Sequence, residues 1–276
     1  MKRSVLGIAI AGAAVALVGW LLGPAGAATR GAGSGTGLFE PAAGEAVPIH
    51  GGTTSSLNWS GYAVTPSTPV TAVTSTFTVP TAGLVPPGFT ATWTGIGGYK
   101  SGSTDLIQAG VGEQSLPSAP LLGPQYYAWY EILPASETPI QNCSTDPSCT
   151  VNSGDVVTVN IHNTGGNNWS ITMSDAGHWS WSTTLTYQSS ESSAEWILEA
   201  PTLVVAQTIP APVETAHFGP TSTFTSGAGT QTILEGSPTL IDMGLGVGPN
   251  EATPSALNSD GQSFNVCTYS SSCAAP

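Results

Sequence analysis

Asp155-Val156-Val157-Thr158-Val159-Asn160-Ile161 and Trp169-Ser170-Ile171-Thr172-Met173-Ser174, separated by Thr164-Gly165-Gly166-Asn167, decide the fold. Both runs alternate apolar and polar residues with period two and are rich in β-branched and aromatic side chains, the mark of a half-buried strand. The Gly-Gly turn joins them into a hairpin from Asp155 to Ser174. Outward from this hairpin the same period recurs, most clearly in Ala72-Val73-Thr74-Ser75-Thr76-Phe77-Thr78-Val79, with turn signals at Pro86-Pro87-Gly88, Gly97-Gly98 and Asn152-Ser153-Gly154. No stretch carries a 3.6-residue apolar repeat, and 34 Gly with 22 Pro disfavour long helices. An all-β sandwich is expected, with no internal repeat and no second domain boundary.

The beginning of the chain reads differently. Lys2 and Arg3, the apolar run Ile8 to Leu22, and Ala25-Gly26-Ala27 have the order of a secretory signal, so residues 1–27 are expected to direct export and be removed. Gly12, Gly19 and Pro24 interrupt a stretch that is short for a membrane span. Residues 28–55 are rich in Gly, Ala and Pro and lack periodicity, as befits a pro-segment or disordered arm. Sustained patterning starts at Leu57-Asn58-Trp59-Ser60-Gly61-Tyr62, leaving a β-domain at 56–276.

Charge narrows the partners. Lys and Arg number 4 against 17 Asp and Glu, a net charge of −13, and Lys100 is the sole strong base of the expected domain. Such a surface excludes nucleic acid and anionic membranes as partners, and a monomer is expected. It suits acid, because protonating carboxylates that lack basic partners leaves few cations to repel one another. The four cysteines fall in two close pairs, Cys143/Cys149 and Cys267/Cys273, read as two local disulfides of an exported protein. No His stands near them in a zinc-ligand pattern, and no metal or organic cofactor is expected.

Two polar residues interrupt apolar strands. In Asp105-Leu106-Ile107-Gln108-Ala109-Gly110-Val111, alternation puts Ile107, Ala109 and Val111 on a core face and Gln108 on the other. In Ser193-Ala194-Glu195-Trp196-Ile197-Leu198-Glu199, Ala194, Trp196 and Leu198 form the apolar face, with Glu195, Ile197 and Glu199 opposite. An outward Gln or Glu is ordinarily just solvated. If the opposite face is concave, however, an amide and a carboxyl share one groove, and together they suffice to activate water and hold an oxyanion. Glu131, in Tyr127-Ala128-Trp129-Tyr130-Glu131, has the same ambiguity, with Trp129 on its own face. Tyr62, Trp93, Tyr99, Trp129 and Trp179 either pack in the core, the commoner fate, or line a groove. His50, His162, His178 and His217 are scattered, His162 and His178 in or beside turns. No Gly-x-Ser-x-Gly elbow and no Asp-Thr-Gly or Asp-Ser-Gly motif occurs. Asn58, Asn142 and Asn168 stand in glycosylation sequons.

Taken together, Asn58-Trp59-Ser60-Gly61-Tyr62, Ser75-Thr76-Phe77-Thr78-Val79-Pro80, Trp93-Thr94-Gly95-Ile96-Gly97-Gly98, Leu106-Ile107-Gln108-Ala109-Gly110, Tyr127-Ala128-Trp129-Tyr130-Glu131 and Ala194-Glu195-Trp196-Ile197-Leu198-Glu199 resemble the glutamic peptidases, or eqolisins, in order from Asn58 to the C-terminus. The resemblance implies a concanavalin A-like β-sandwich of two curved antiparallel sheets. It also implies a secreted endopeptidase made as a zymogen, acting on protein or peptide substrates at acid pH. Gln108 and Glu195 would be its catalytic pair, with Trp93, Trp129, Glu131 and Glu199 as candidates for substrate contact. One departure stands out: the fungal members carry Asp where this chain has Gly97. An apolar setting beside Trp196 is expected to raise the Glu195 pKa. The alternatives are a secreted carbohydrate-binding or adhesive sandwich, and a catalytically inactive relative of the peptidase.

Overall fold

A period-two segment becomes a strand where one of its faces can be buried, and here nearly every such segment does. The computed structural model describes residues 47–49, 52–116, 123–203, 206–213, 215–244 and 249–276. The expected signal, 1–27, lies outside them, as does most of the arm.

The principal strands are β1 (Trp59–Val64), β2 (Ala72–Thr78), β3 (Gly88–Gly97), β4 (Leu106–Ser115), β5 (Gln125–Ile132), β6 (Val156–Gly165), β7 (Asn168–Asp175), β8 (Trp179–Thr186), β9 (Ala194–Glu199), β10 (Ala216–Phe218), β11 (Thr239–Met243), β12 (Ala252–Pro254) and β13 (Phe264–Thr268). They pair in two sheets. The first runs β5-β4-β3-β9-β1-β11 and the second β12-β13-β10-β2-β6-β7-β8. At one corner Met243 of β11 pairs with Ala252 of β12, so both sheets belong to one hydrogen-bonded ladder turned over on itself. The expected hairpin is β6 and β7, and its turn places Gly165 and Gly166 at φ 129° and 60°, where a side chain would be strained.

Between the sheets lies the main core. Ile107, Ala109 and Val111 of β4 and Trp196 and Leu198 of β9 meet Val73 and Phe77 of β2 and Val157, Val159 and Ile161 of β6. Phe218 stacks on Phe264 at 4.6 Å, and Tyr62 meets Phe264 edge-on at 4.8 Å while its hydroxyl donates to Ser255 O at 2.7 Å. Tyr62 and Trp179 therefore pack in the core. Both disulfides, Cys143–Cys149 and Cys267–Cys273, are formed.

Two details depart from the sequence reading. Thr53–Ser56, at the end of the expected arm, forms a strand, and it pairs in parallel with Leu240–Met243 of β11 in an otherwise antiparallel architecture. Four residues of Thr and Ser have too little apolar contrast to announce a strand. Among the described residues, no helix is long and apolar enough to cross a membrane.

Candidate active site

The outer face of the first sheet carries a second apolar cluster of Trp59, Ala63, Ala91, Trp93, Leu106, Trp129, Ile197 and Ile241. Parity alone generates it: these are the residues that alternate with the core-facing ones. Gln108, Glu131, Glu195 and Glu199 share their parity and so their face. All four are buried, Gln108 and Glu195 at 0 % exposure, which sets aside the ordinary solvated reading of each.

Register places them more sharply. Glu131 of β5 stands opposite Gln108 of β4, Gln108 opposite Gly95 of β3, Gly95 opposite Glu195 of β9, and Glu195 opposite Ala63 of β1. The candidate pair therefore lies in one cross-strand row, two strands apart, which at a strand spacing of ~4.8 Å puts their backbones about 10 Å from each other. Between them stands a residue without a side chain. A Cβ on Gly95 would fall 2.9 Å from Ile107 O and 3.1 Å from Gln108 Cβ, so only glycine fits, and the row stays open between amide and carboxyl.

The next row holds Trp129, Gly110, Trp93, Ile197 and Gly61. A Cβ on Gly110 would lie 2.6 Å from Trp93 Cβ, so the glycine makes room for the indole. One row further, Glu199 stands opposite Ala91 and Trp59. Its carboxylate accepts from Trp93 Nε1 at 2.8 Å and Asn58 Nδ2 at 3.0 Å. Of the expected substrate contacts, Trp93 and Glu199 are thus bonded to each other, and Glu131 accepts from Gln108 Nε2 at 2.7 Å.

Burial dominates the electrostatics. It lifts Glu131 to about 9, against the Gln108 hydrogen bond and helped by the charges of Glu199 and Glu137. It takes Glu199 to about 7, against the bonds from Trp93 and Asn58 and the nearby Trp59 indole N–H, which lies outside hydrogen-bond geometry. Glu195 is held well above the usual carboxylate range by burial, with the nearby Ser193 hydroxyl opposing and the Asp105 charge reinforcing. The direction is the one expected, but the stated neighbour is not. Trp196 points into the core and donates its Nε1 to Thr74 O at 3.0 Å, so Ile197 and Ala63 are the apolar residues on the face of Glu195. Gln108 Oε1 and both Glu195 oxygens are sealed from solvent without a partner in hydrogen-bond geometry. Such atoms are costly in a native structure and call for a polar partner.

A sequence model described as the Peptidase A4 family matches residues 57–273. The chain belongs to that family. It is a peptidase of the glutamic type. Scytalido-glutamic peptidase, solved with a peptide-based transition-state analogue, superposes at a TM-score of 0.60 with 18 % identity, covering 76 % of this chain and 98 % of that one. SCP-B, an eqolisin solved with the tripeptide Ala-Ile-His, gives 0.58 at 18 % identity, covering 77 % and 98 %. Aspergilloglutamic peptidase from Aspergillus niger gives 0.54 at 22 % identity, covering 66 % and 99 %. At these identities the likeness is one of fold, the eqolisin β-sandwich. Comparison with curated protein sequences returned no match.

This A4-family peptidase also places residues near the row to which the sequence reading gave no role. Gly97, with φ 89°, has no room for a side chain: a Cβ would lie 2.9 Å from Asp105 Oδ2. Asp105 therefore fills the space beside Gly97 from the loop that leads into β4. Its carboxylate accepts from Ser190 N at 2.6 Å, Ser103 Oγ at 2.8 Å and Ser189 Oγ at 3.3 Å, bonds that outweigh burial and hold it below its ordinary pKa. Glu137 is the second: burial takes it to about 8, Tyr127 Oη donates to it, and the charge of Glu199 reaches it. Away from the row, Glu113 is buried on the core side of β4, and burial raises it well above the ordinary range. The signal for Glu113 was there, since it continues the parity of Ile107, Ala109 and Val111. Asp105 and Glu137 act from loops, where no periodicity points at them.

Proposed function

We propose that this peptidase is an exported, acid-active endopeptidase in which Gln108 and Glu195 activate one water molecule across Gly95. The observation that carries the reading is the row itself: an amide and a carboxyl on one face, buried, with orphaned oxygens, and a glycine between them that cannot be anything else. A water in that position gains partners on both sides, as a buried water requires.

Glu195, ionised, takes a proton from the water, and the water oxygen attacks the scissile carbonyl carbon. The carbonyl oxygen becomes an oxyanion and accepts an N–H from the Gln108 amide. Collapse of the tetrahedral species breaks the C–N bond as protonated Glu195 returns the proton to the leaving amine. Hydrogen bonds from the water to the Glu195 oxygens favour the charged form, bringing its pKa down from that of the dry carboxyl. Glu131 serves this scheme as the residue that fixes the Gln108 amide, rather than as a substrate contact. Protonated over the acid range, it is free to donate to Gln108 Oε1 with the amide turned over, which leaves both amide hydrogens for the oxyanion. Trp93 and Trp129, both buried, form the apolar wall beside the row, with Glu199 fixing the Trp93 indole. Residues 1–27 are read as the signal and 28–55 as a pro-segment or disordered arm whose last residues, from Thr53, join the sheet; the two disulfides and the shortage of bases accord with export to an acid medium.

The test is cleavage of a denatured protein by the purified, processed chain between pH 2 and 7, with an inhibitor of paired-aspartate proteases present, beside Glu195→Gln. Acid-restricted cleavage that the inhibitor spares and the substitution abolishes is expected. A folded, processed protein that cleaves at no pH would instead be an inactive member of the family.

A further inference from the structure

Away from the first sheet, three metal-binding side chains converge at one end of the second. Asp155 immediately precedes β6, Asp175 closes β7, and His178 lies in the turn to β8. Each offers one ligand atom, and the three atoms lie within 4.8 Å of one another. The carboxylates differ in setting. Asp175 is 2 % exposed, its Oδ1 sealed from solvent without a hydrogen-bond partner and its Oδ2 2.9 Å from His178 Nδ1. Asp155 is half-buried, with Oδ2 accepting from Asn152 N at 2.6 Å. The His178 side chain is 60 % exposed, which leaves an open approach from solvent.

Two carboxylates so placed repel each other, and the Asp155 charge acts directly on Asp175. Among the described residues, Lys100 is the one Lys or Arg, and it stands in the loop after β3. His178, whose pKa the Asp175 bond and charge raise, supplies one positive charge at most against two carboxylates. A buried carboxylate with one oxygen unpartnered and the other on an imidazole, within 4.8 Å of a second carboxylate, is a donor set a divalent cation satisfies.

We propose that Asp155, Asp175 and His178 form a divalent-cation site, with Zn²⁺ as the ion that fits it. Calcium takes six to eight oxygens and rarely an imidazole, whereas one nitrogen and two carboxylate oxygens with a solvent-facing fourth position match zinc. With three protein ligands and water in the fourth position the site is more open than the closed four-ligand zinc of structural sites, and the effect of the ion is to brace the corner. It ties the Asn152–Asp155 turn to the β7–β8 turn at a corner already held by the Cys143–Cys149 loop, where Thr145 Oγ1 donates to His178 O and Trp179 Nε1 donates to Thr150 O at 2.7 Å. It takes no part in hydrolysis, because the site belongs to the other sheet from Gln108 and Glu195.

Untagged, processed protein, stripped with EDTA and dialysed near neutral pH, is titrated calorimetrically with ZnCl₂ while Tm is followed. The expected result is one Zn²⁺ per chain and a rise in Tm that EDTA reverses. His178→Ala is expected to weaken binding at least about tenfold while the proteolytic rate stays as in the parent; its metal-free Tm falls with the lost Asp175 bond, so the zinc-induced rise is read against the variant's own metal-free Tm. Asp155→Asn should weaken binding likewise. Zinc binding of undiminished affinity in His178→Ala, or no rise in Tm for the parent chain, overturns the proposal and leaves Asp155 and Asp175 sharing a proton.

Discussion

Glu195→Gln preserves the side-chain shape and removes the base; turnover is expected to vanish while circular dichroism and Tm stay native, and a variant keeping more than a few per cent of parental activity would sink the assignment. Gln108→Ala is expected to lower kcat by about 10²–10³, the scale of a lost oxyanion donor; a raised KM with kcat intact would make Gln108 a binding residue. Asp105 provides a subtler test. Its carboxylate is kept ionised by the Ser190 N–H and two serine hydroxyls, and its charge pushes Glu195 up. Removing that charge in Asp105→Asn lowers the Glu195 pKa, so the acid limb of kcat/KM should move to lower pH; an unmoved limb with a lowered Tm would confine Asp105 to bracing the Ser190 loop. At this scale the sequence was informative where parity applied. Gln108 and Glu195 stood out because each breaks an apolar strand, but that Glu131 bonds Gln108 depends on register between strands, which no single strand encodes.

Among elements, β3 matters most, because it lies between the strands of the candidate pair and contributes Gly95. Gly95→Ala forces a Cβ to within 2.9 Å of Ile107 O. A loss of about 1–3 kcal/mol in stability is expected from the overpacking, together with a fall in kcat beyond what the residual folded fraction explains. Urea denaturation beside single-turnover kinetics separates the two, and full activity in a folded variant would show that the gap is not needed. Long alternating strands such as β2, β6 and β7 were legible because a half-buried face repeats at period two. The short strand Thr53–Ser56 was not, since it owes its conformation to the edge of β11 rather than to its own pattern.

Over the whole molecule, carboxyls with raised pKa values dominate: Glu113, Glu131, Glu137, Glu195 and Glu199. In the unfolded chain each ionises near 4.3, while the folded chain keeps its proton to about 7 at Glu199, about 8 at Glu137 and about 9 at Glu131. In that window the folded state holds more protons, so stability falls as pH rises, by about 1.4 kcal/mol per pH unit for each such group. Asp105, Asp146, Glu235 and Asp260 act oppositely: their lowered values stabilise above the ordinary carboxylate range and are lost as pH drops. The larger, buried set prevails, so Tm should peak in mild acid and decline toward neutrality; a flat or rising Tm from pH 4 to 7 would refute this. The sequence pointed the same way through its shortage of bases, but the physical source is burial, which composition does not reveal.

Because Gln108 and Glu195 stand opposite the same residue of β3, their separation is a whole number of strand spacings, fixed by backbone geometry and indifferent to how neighbouring side chains repack. The row therefore works like a gauge block: the separation of the proposed pair is set by the backbone ladder, whatever side chains surround it.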